Sequence, residues 1–429
     1  MALLLKGAHV VDPAAGLDGV LDVLVDGDRI AEVGENLPTD GHEVKDLSGK
    51  YLVPGLVDMH VHLRDPGQEY KEDIEPGTRA AAKGGFTGVC AMPNTSPVAD
   101  NGTVIEYVRS RAAEVGHCRV YPSGAMTKGL QGKALSEMGD MVAHGCVAFT
   151  DDGRGVQNAG MFRRCMDYGK MFDKAFMPHC QDDSLVGDGQ VNEGAVSTRL
   201  GIAGWPAAGE EIEIARDIEL CRLTGARLHI QHLTTGHGLD LVRRAKADGL
   251  PVTCEVTPHH LFMNEEMLDE TFNTNLKMNP PLRTKEDAAE LIRGVVDGSV
   301  DCIVTDHAPH AAYEKEREFA HAPFGMIGLE SSLGLMLTEL VKPGTIDVAR
   351  LVEVMAINPR RVLSLDPVSI AAGSVADITV FDPSIEWTVG EDGYESKASN
   401  CGFEGWKLTG RATDVFVGGV CTLCDGVVC

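Results

Sequence analysis

Pro54-Gly55-Leu56-Val57-Asp58-Met59-His60-Val61-His62-Leu63-Arg64 opens on a turn pair, continues as an apolar run and ends in imidazoles and a guanidinium. An apolar run of this length, bounded by Pro-Gly, reads as a buried strand. Residues two apart on a strand face the same side, so His60 and His62 point both rings one way. An isolated His-x-His is more often a pair of packed side chains than a ligand pair, so the neighbouring segments decide its meaning.

Working outward, similar β runs recur at residues 86–91, 119–123, 145–149, 175–177, 227–231, 251–255 and 301–304. Helical patterns fall between them, for example at 104–115, 209–224 and 285–296. Strands alternating with helices imply a parallel sheet, and eight such units suit an α/β fold of the (β/α)8 (TIM) barrel type. A doubly wound open sheet is the alternative. The two ends differ from the middle: residues 3–35 and 374–424 are short alternating runs broken by Gly and Asp, including 414–420 as one run. That pattern predicts antiparallel strands. Neither end can bury a face alone, so both are expected to pair into one small composite β domain. It would comprise residues 1–54 with 366–429, beside a barrel of residues 55–365.

Composition narrows the function. The 429 residues carry 38 basic and 64 acidic side chains, a formal charge of −26. Nucleic acid and anionic membranes are bound through Lys/Arg surfaces, so neither is expected as a partner. A small anionic substrate would need local positive charge, from metal ions or a placed Arg. Gly132-Lys133 is followed by Ala134, so no phosphate-binding loop of the Walker type is present. No apolar run reaches the length of a membrane span, and Ala2-Leu3-Leu4-Leu5 is cut short by Lys6, so a cytoplasmic enzyme is expected. The twelve cysteines are scattered singly apart from Cys421-x-x-Cys424 with Cys429 close behind. Without a second Cys pair they read as buried thiols and a frayed tail.

In a (β/α)8 barrel the reacting groups follow the strands at the C-terminal face. Those positions hold His60, His62, Asn94, Asp151, Asp152, His179, His232, His259, His260, Asp306, His307 and His310. Such recurrence at strand ends turns the His-x-His into a metal motif. His179 and His232 can hold a second ion, with one carboxylate bridging the two. Two ions clamp a nucleophilic oxygen and polarise a carbonyl. Asp306 is the natural general base. Strand parity admits only one of Asp151 and Asp152. His229 is expected to be packed, His259 and His260 to be structural or supporting, and His307 to point away.

The 54–67 run, Thr305-Asp306-His307-Ala308-Pro309-His310, Ala91-Met92-Pro93-Asn94-Thr95, Lys277-Met278-Asn279-Pro280-Pro281-Leu282-Arg283 and Ala322-Pro323-Phe324-Gly325 together resemble the bacterial type I dihydroorotases of the amidohydrolase superfamily. The resemblance spans essentially the whole chain. It implies Zn2+, one or two per subunit, on His60, His62 and Asp152 at one site and on Asp152, His179 and His232 at the other. Asp306 would be base and metal ligand together. His62, Arg64, Asn94 and His310 would contact substrate, Arg64, Asn94 and His310 through its carboxylate, with Asn279 and the Phe324-Gly325 backbone at the ring. The family spacing favours Asp152, 27 residues before His179, as the bridge. Relatives that bridge with a carboxylated lysine differ, because no lysine lies between Lys133 and Lys170. Gln181 stands where many relatives carry an acid. The resemblance also implies a homo-oligomer and aspartate transcarbamoylase as a partner. Two other readings remain: a hydantoinase, dihydropyrimidinase or allantoinase, and a non-catalytic scaffold for the transcarbamoylase.

Overall fold

The computed structural model describes residues 2–429. Eight parallel strands follow one another in the middle of the chain: Leu56–Val61, Phe86–Ala91, Arg119–Pro122, Ala148–Phe149, Ala175–Phe176, Leu228–Ile230, Val252–Val256 and Cys302–Ile303. The first three pair as one sheet and the last five as another. Two isolated parallel bridges, Gly124 to Phe149 and Val61 to His307, join the sheets into a ring. This is the closed barrel read from the alternation, and it excludes the open sheet. Helices Gly102–Val115, Ala208–Thr224 and Lys285–Asp297 lie within two residues of their expected bounds. Asn101 and Thr284 cap two of them by accepting from first-turn N–H groups.

Burial explains the ring. Leu56, Phe86, Phe149, Phe176, Ile230, Val256 and Ile303 pack with helix residues such as Ile105, Phe162, Ile214 and Leu291 in one large apolar cluster. A separate cluster takes Val57 and Met59 from the first strand together with Ala175 and Met177 from the fifth and its edge. Contacts between opposite strands are possible only inside the ring, so the barrel is filled, not hollow.

Strands from both ends share a nine-stranded sheet, in which Tyr51–Pro54 pairs with Ile378–Thr388. Three expectations are corrected there. The sheet is not wholly antiparallel, since Leu3–Asp12 pairs in parallel with Glu43–Asp46 and Tyr51–Pro54 after a crossover. Residues 414–420 are not one strand: Gly418 and Gly419, at φ 55° and 75°, turn the chain between Lys407–Val417 and Val420–Cys424. The tail is not frayed either, because Val427–Val428 adds a strand and Cys421 and Cys424 are joined as a disulfide. No helix among the described residues is long and apolar enough to cross a membrane.

Candidate active site

The histidines and aspartates meet at the C-terminal mouth of the ring. His60 Nε2 lies 3.3 Å from Asp152 Oδ1 and 3.6 Å from Asp306 Oδ1. His62 Nε2 lies 3.1 Å from Asp306 Oδ1 and 3.5 Å from Asp152 Oδ2. His179 Nδ1 and His232 Nε2 each stand 3.7 Å from Asp152 Oδ1 and 2.9 Å from one another. Asp152 is therefore the hub, with a histidine pair on either side. Asp151 is turned away. Its carboxylate accepts from the N–H groups of Met126 and Thr127 at 2.7 and 3.0 Å and from the Thr127 hydroxyl.

Three of the four rings spend one nitrogen outward. His60 Nδ1 donates to Glu255 Oε1 at 2.6 Å, His62 Nδ1 to Asn94 Oδ1 at 3.0 Å, and His179 Nε2 to Gln181 Oε1 at 3.0 Å. Their other nitrogens then present lone pairs to the centre, the arrangement of metal-binding histidines. His60 Nε2 has no hydrogen-bond partner although it is buried. Two sets of side chains, His60-Asp152-His232 and His60-His62-Asp306, bring one ligand atom each within 4.8 Å of one another. Buried carboxylates beside lone-pair nitrogens demand a cation, and divalent ions fit this donor set.

Electrostatics points the same way. Burial opposes charge on His60, yet Asp152, Glu255 and Asp306 raise its pKa well above the ordinary value. Burial likewise resists ionisation of Asp306 and Asp152, but the surrounding histidines hold both carboxyls well below the usual range. These opposed shifts describe a centre whose field favours positive charge.

The backbone is shaped to match. Arg64, His232 and Asp306 carry φ of 61°, 29° and 48°, left-handed values that L side chains rarely adopt. Such strain concentrates at sites where the fold re-aims a side chain just past a strand. Beside the cluster lies a cavity of about 500 Å3 lined by His62, Arg64, Asn94, Asp152, His179, Asn279, Asp306, His310 and the Pro323-Phe324-Gly325 segment. Arg64 is buried and forms no ion pair among the described residues; only its Nε is engaged, with Pro309 O at 3.2 Å. Asn94 also donates to Asp152 Oδ2 at 3.2 Å, so it ties a histidine to the hub as well as lining the cavity. His310 donates from Nε2 to Phe324 O at 2.8 Å, and burial with nearby Arg64 lowers its pKa to about 2, leaving it neutral. Gly325, at φ 116°, sits so close that a Cβ would lie 2.6 Å from the Ala308 Cβ.

Several residues here escape sequence reading. Glu255, fully buried, binds His60, accepts from His229 Nε2 at 3.1 Å and from the His232 N–H at 3.2 Å; burial resists its ionisation, but His60 and His229 hold its carboxyl down at about 2. His229 thus packs, as expected, but against a carboxylate of this network. Asp58 accepts from the N–H groups of His60 and Thr305, both at 3.0 Å, tying the first strand to the eighth. Lys277 and Lys315 hold the loop ahead of Met326, donating to Phe319 and Ala322 carbonyls and to Pro323 and Gly325 carbonyls respectively. A buried carboxylate or ammonium leaves no trace in local pattern. Exposed Arg154 lines the cavity as well. His260 is locked to Thr257 Oγ1 and Pro280 O, and His307 Nδ1 accepts from the Gly328 N–H, away from the hub. His259 Nε2 is unpaired, and burial lowers that ring to about 4.

A filled (β/α)8 barrel with four histidines and two aspartates at its mouth, beside a β sheet built from both chain ends, is the arrangement of the amidohydrolases, a metal-dependent class to which the chain's relatives belong. Among solved structures the chain resembles the L-hydantoinase (dihydropyrimidinase) from Arthrobacter aurescens, with a TM-score of 0.88 at 24% identity over 100% of this chain and 97% of that one. It also resembles the D-hydantoinase of Thermus sp., with a TM-score of 0.84 at 26% identity over 100% and 96%. The family model described as dihydro-orotase-like matches residues 49–237. A dihydroorotase of Pelotomaculum thermopropionicum is 47% identical over 100% of both chains, and one of Trichlorobacter lovleyi 46% identical over 98% of both. The chain belongs to the dihydroorotase family.

Proposed function

We propose that this protein is a dihydroorotase, interconverting N-carbamoyl-L-aspartate and (S)-dihydroorotate in de novo pyrimidine biosynthesis. The observation that carries the choice of substrate is Arg64: a buried guanidinium, free of any ion pair among the described residues, on the wall of the cavity beside the hub. Its planar fork matches a carboxylate, which dihydroorotate carries on its ring and dihydrouracil lacks.

On this reading His60, His62, Asp152 and Asp306 hold one Zn2+, and Asp152, His179 and His232 a second. When bound, the ions supply Lewis acidity toward the scissile carbonyl. Asp306, ionised by its surroundings, takes the proton of the attacking water and passes it to the departing ring nitrogen. In ring closure it starts protonated and gives that proton to the leaving hydroxyl oxygen. Arg64 grips the substrate carboxylate, with Asn94 and His310 beside it. Asn279 and the Phe324-Gly325 backbone face the ring. Residues 55–365 form the catalytic unit, and 1–54 with 366–429 a satellite domain, a division supported by the sheet the two ends share. The resemblance extends the reading to a cytoplasmic homo-oligomer that associates with aspartate transcarbamoylase, which co-purification of the two enzymes measures.

The test compares substrates. The purified protein, with its metal content measured, should open dihydroorotate and cyclise carbamoyl aspartate. Turnover of dihydrouracil or a hydantoin as fast as dihydroorotate would overturn the assignment.

A further inference from the structure

The last hairpin carries a second group of metal-type ligands, remote in sequence from the barrel centre and independent of the function proposed above. Strand Val420–Cys424 pairs with Lys407–Val417 through a register shift: Cys421 faces Phe416, whereas Leu423 faces Val415. Thr422 is thus one residue too many, a β-bulge. On a regular strand residues three apart face opposite sides. The extra residue restores the phase, so Cys421 and Cys424 share a side with Cα atoms 6.2 Å apart. The Cys429 N–H then donates to Thr422 O at 3.0 Å, which seats the third cysteine against the bulge.

The outcome is three sulfurs mutually within 4.8 Å. Thiolates bound at ~2.3 Å to one tetrahedral ion stand roughly 3.8 Å apart, so once the Cys421–Cys424 bond is reduced those two sulfurs need only separate, with Cys429 already within reach. The other nine cysteines are buried and belong to no such group among the described residues. Here Cys421 and Cys424 are only half-buried and Cys429 is exposed, so an ion has access.

We infer that Cys421, Cys424 and Cys429, as reduced thiols, form a surface site for a thiophilic divalent cation, Zn2+ in the first instance. Binding exchanges three thiol protons, released to solvent, for three metal–sulfur bonds, and leaves one tetrahedral position open. The pairing of Cys421 with Cys424 is the competing state of the same sulfurs.

Cobalt separates this site from the barrel, because only thiolate ligands give sulfur-to-cobalt charge-transfer absorption in the near ultraviolet. Full-length protein reduced with a phosphine and titrated with Co2+ should develop that band to one equivalent, and Zn2+ should displace it. The band should be lost in the Cys421→Ser/Cys424→Ser variant and reduced in Cys429→Ser, with the rate of carbamoyl aspartate cyclisation unchanged in both. Three results would overturn the inference. They are no band, a band that survives Cys421→Ser/Cys424→Ser/Cys429→Ser, or alkylation and mass spectrometry showing the disulfide intact under phosphine.

Discussion

Nδ1 of His60 donates a 2.6 Å hydrogen bond to Oε1 of Glu255, and neither side chain reaches solvent. The bond selects the tautomer that turns the His60 Nε2 lone pair toward Asp152. Groups that orient a ligand in this way are typically worth about 10–100-fold in metal affinity or activity. Glu255→Gln keeps the size and removes the charge. It should weaken metal affinity by a factor in that range, read by competition with a chelator. Affinity equal to wild type would remove Glu255 from the account.

Adjacent aspartates should separate by what they lose. Asp152→Asn should strip metal and abolish activity. Asp151→Asn should keep its metal but weaken the 126–127 loop, by on the order of 1–3 kcal/mol for buried acceptor bonds lost. Metal analysis and denaturant unfolding on the same preparations check both. Greater metal loss at Asp151 would show the hub to be misassigned.

For Arg64→Met we expect intact metal content and a severe loss on dihydroorotate, roughly 2–5 kcal/mol in kcat/KM when a desolvated charge pair is broken. Kinetics of the variant in both directions, with metal quantified, measure this. A loss below tenfold would place the carboxylate elsewhere.

Asp306→Asn, fully metallated, should lose at least the ~10²–10⁴-fold typical of general acid–base catalysis. Because ring opening needs the carboxylate and closure the acid, the wild-type hydrolysis rate should rise with pH while cyclisation falls. Parallel pH profiles, or a metallated variant near wild-type rate, would eliminate it as the proton carrier.

Lys315 offers a test of stability against pH. Burial, and the neighbouring charge of Lys277, lower its pKa from 10.5 to about 7. Between those values the unfolded chain binds the proton that the native state has released, so stability rises with pH across that window. Lys315→Met lacks this contribution. The stability difference between wild type and variant should therefore move in favour of wild type from pH 7 toward 10. A pH-independent difference would refute it.

What could be read from residues alone follows from geometry that is local. His60 and His62 were legible because strand periodicity aims them together, and the strand-end pattern identified the barrel without any contact. Glu255 was not, since a carboxylate inside a strand looks the same whether it faces solvent or an imidazole. Asn94 was legible as a site residue through family resemblance, yet its bonds to His62 and Asp152 depend on how two strand ends are juxtaposed. The parallel pairing of Leu3–Asp12 with Tyr51–Pro54 was hidden for a related reason: alternation reports burial, not direction.

The closure of the ring also dictates when the centre can come into being. The His62 N–H reaches the His307 carbonyl at 2.9 Å, and Asp58 holds the Thr305 N–H, across some 245 intervening residues. Two of the six donors, His60 and His62, lie in or just past the first strand, but Asp306 arrives only with the eighth. A nascent chain that ends before that strand lacks both the seam and Asp306, so the His60-His62-Asp306 site is completed only at the final stage of assembly, after the two halves of the wall have met.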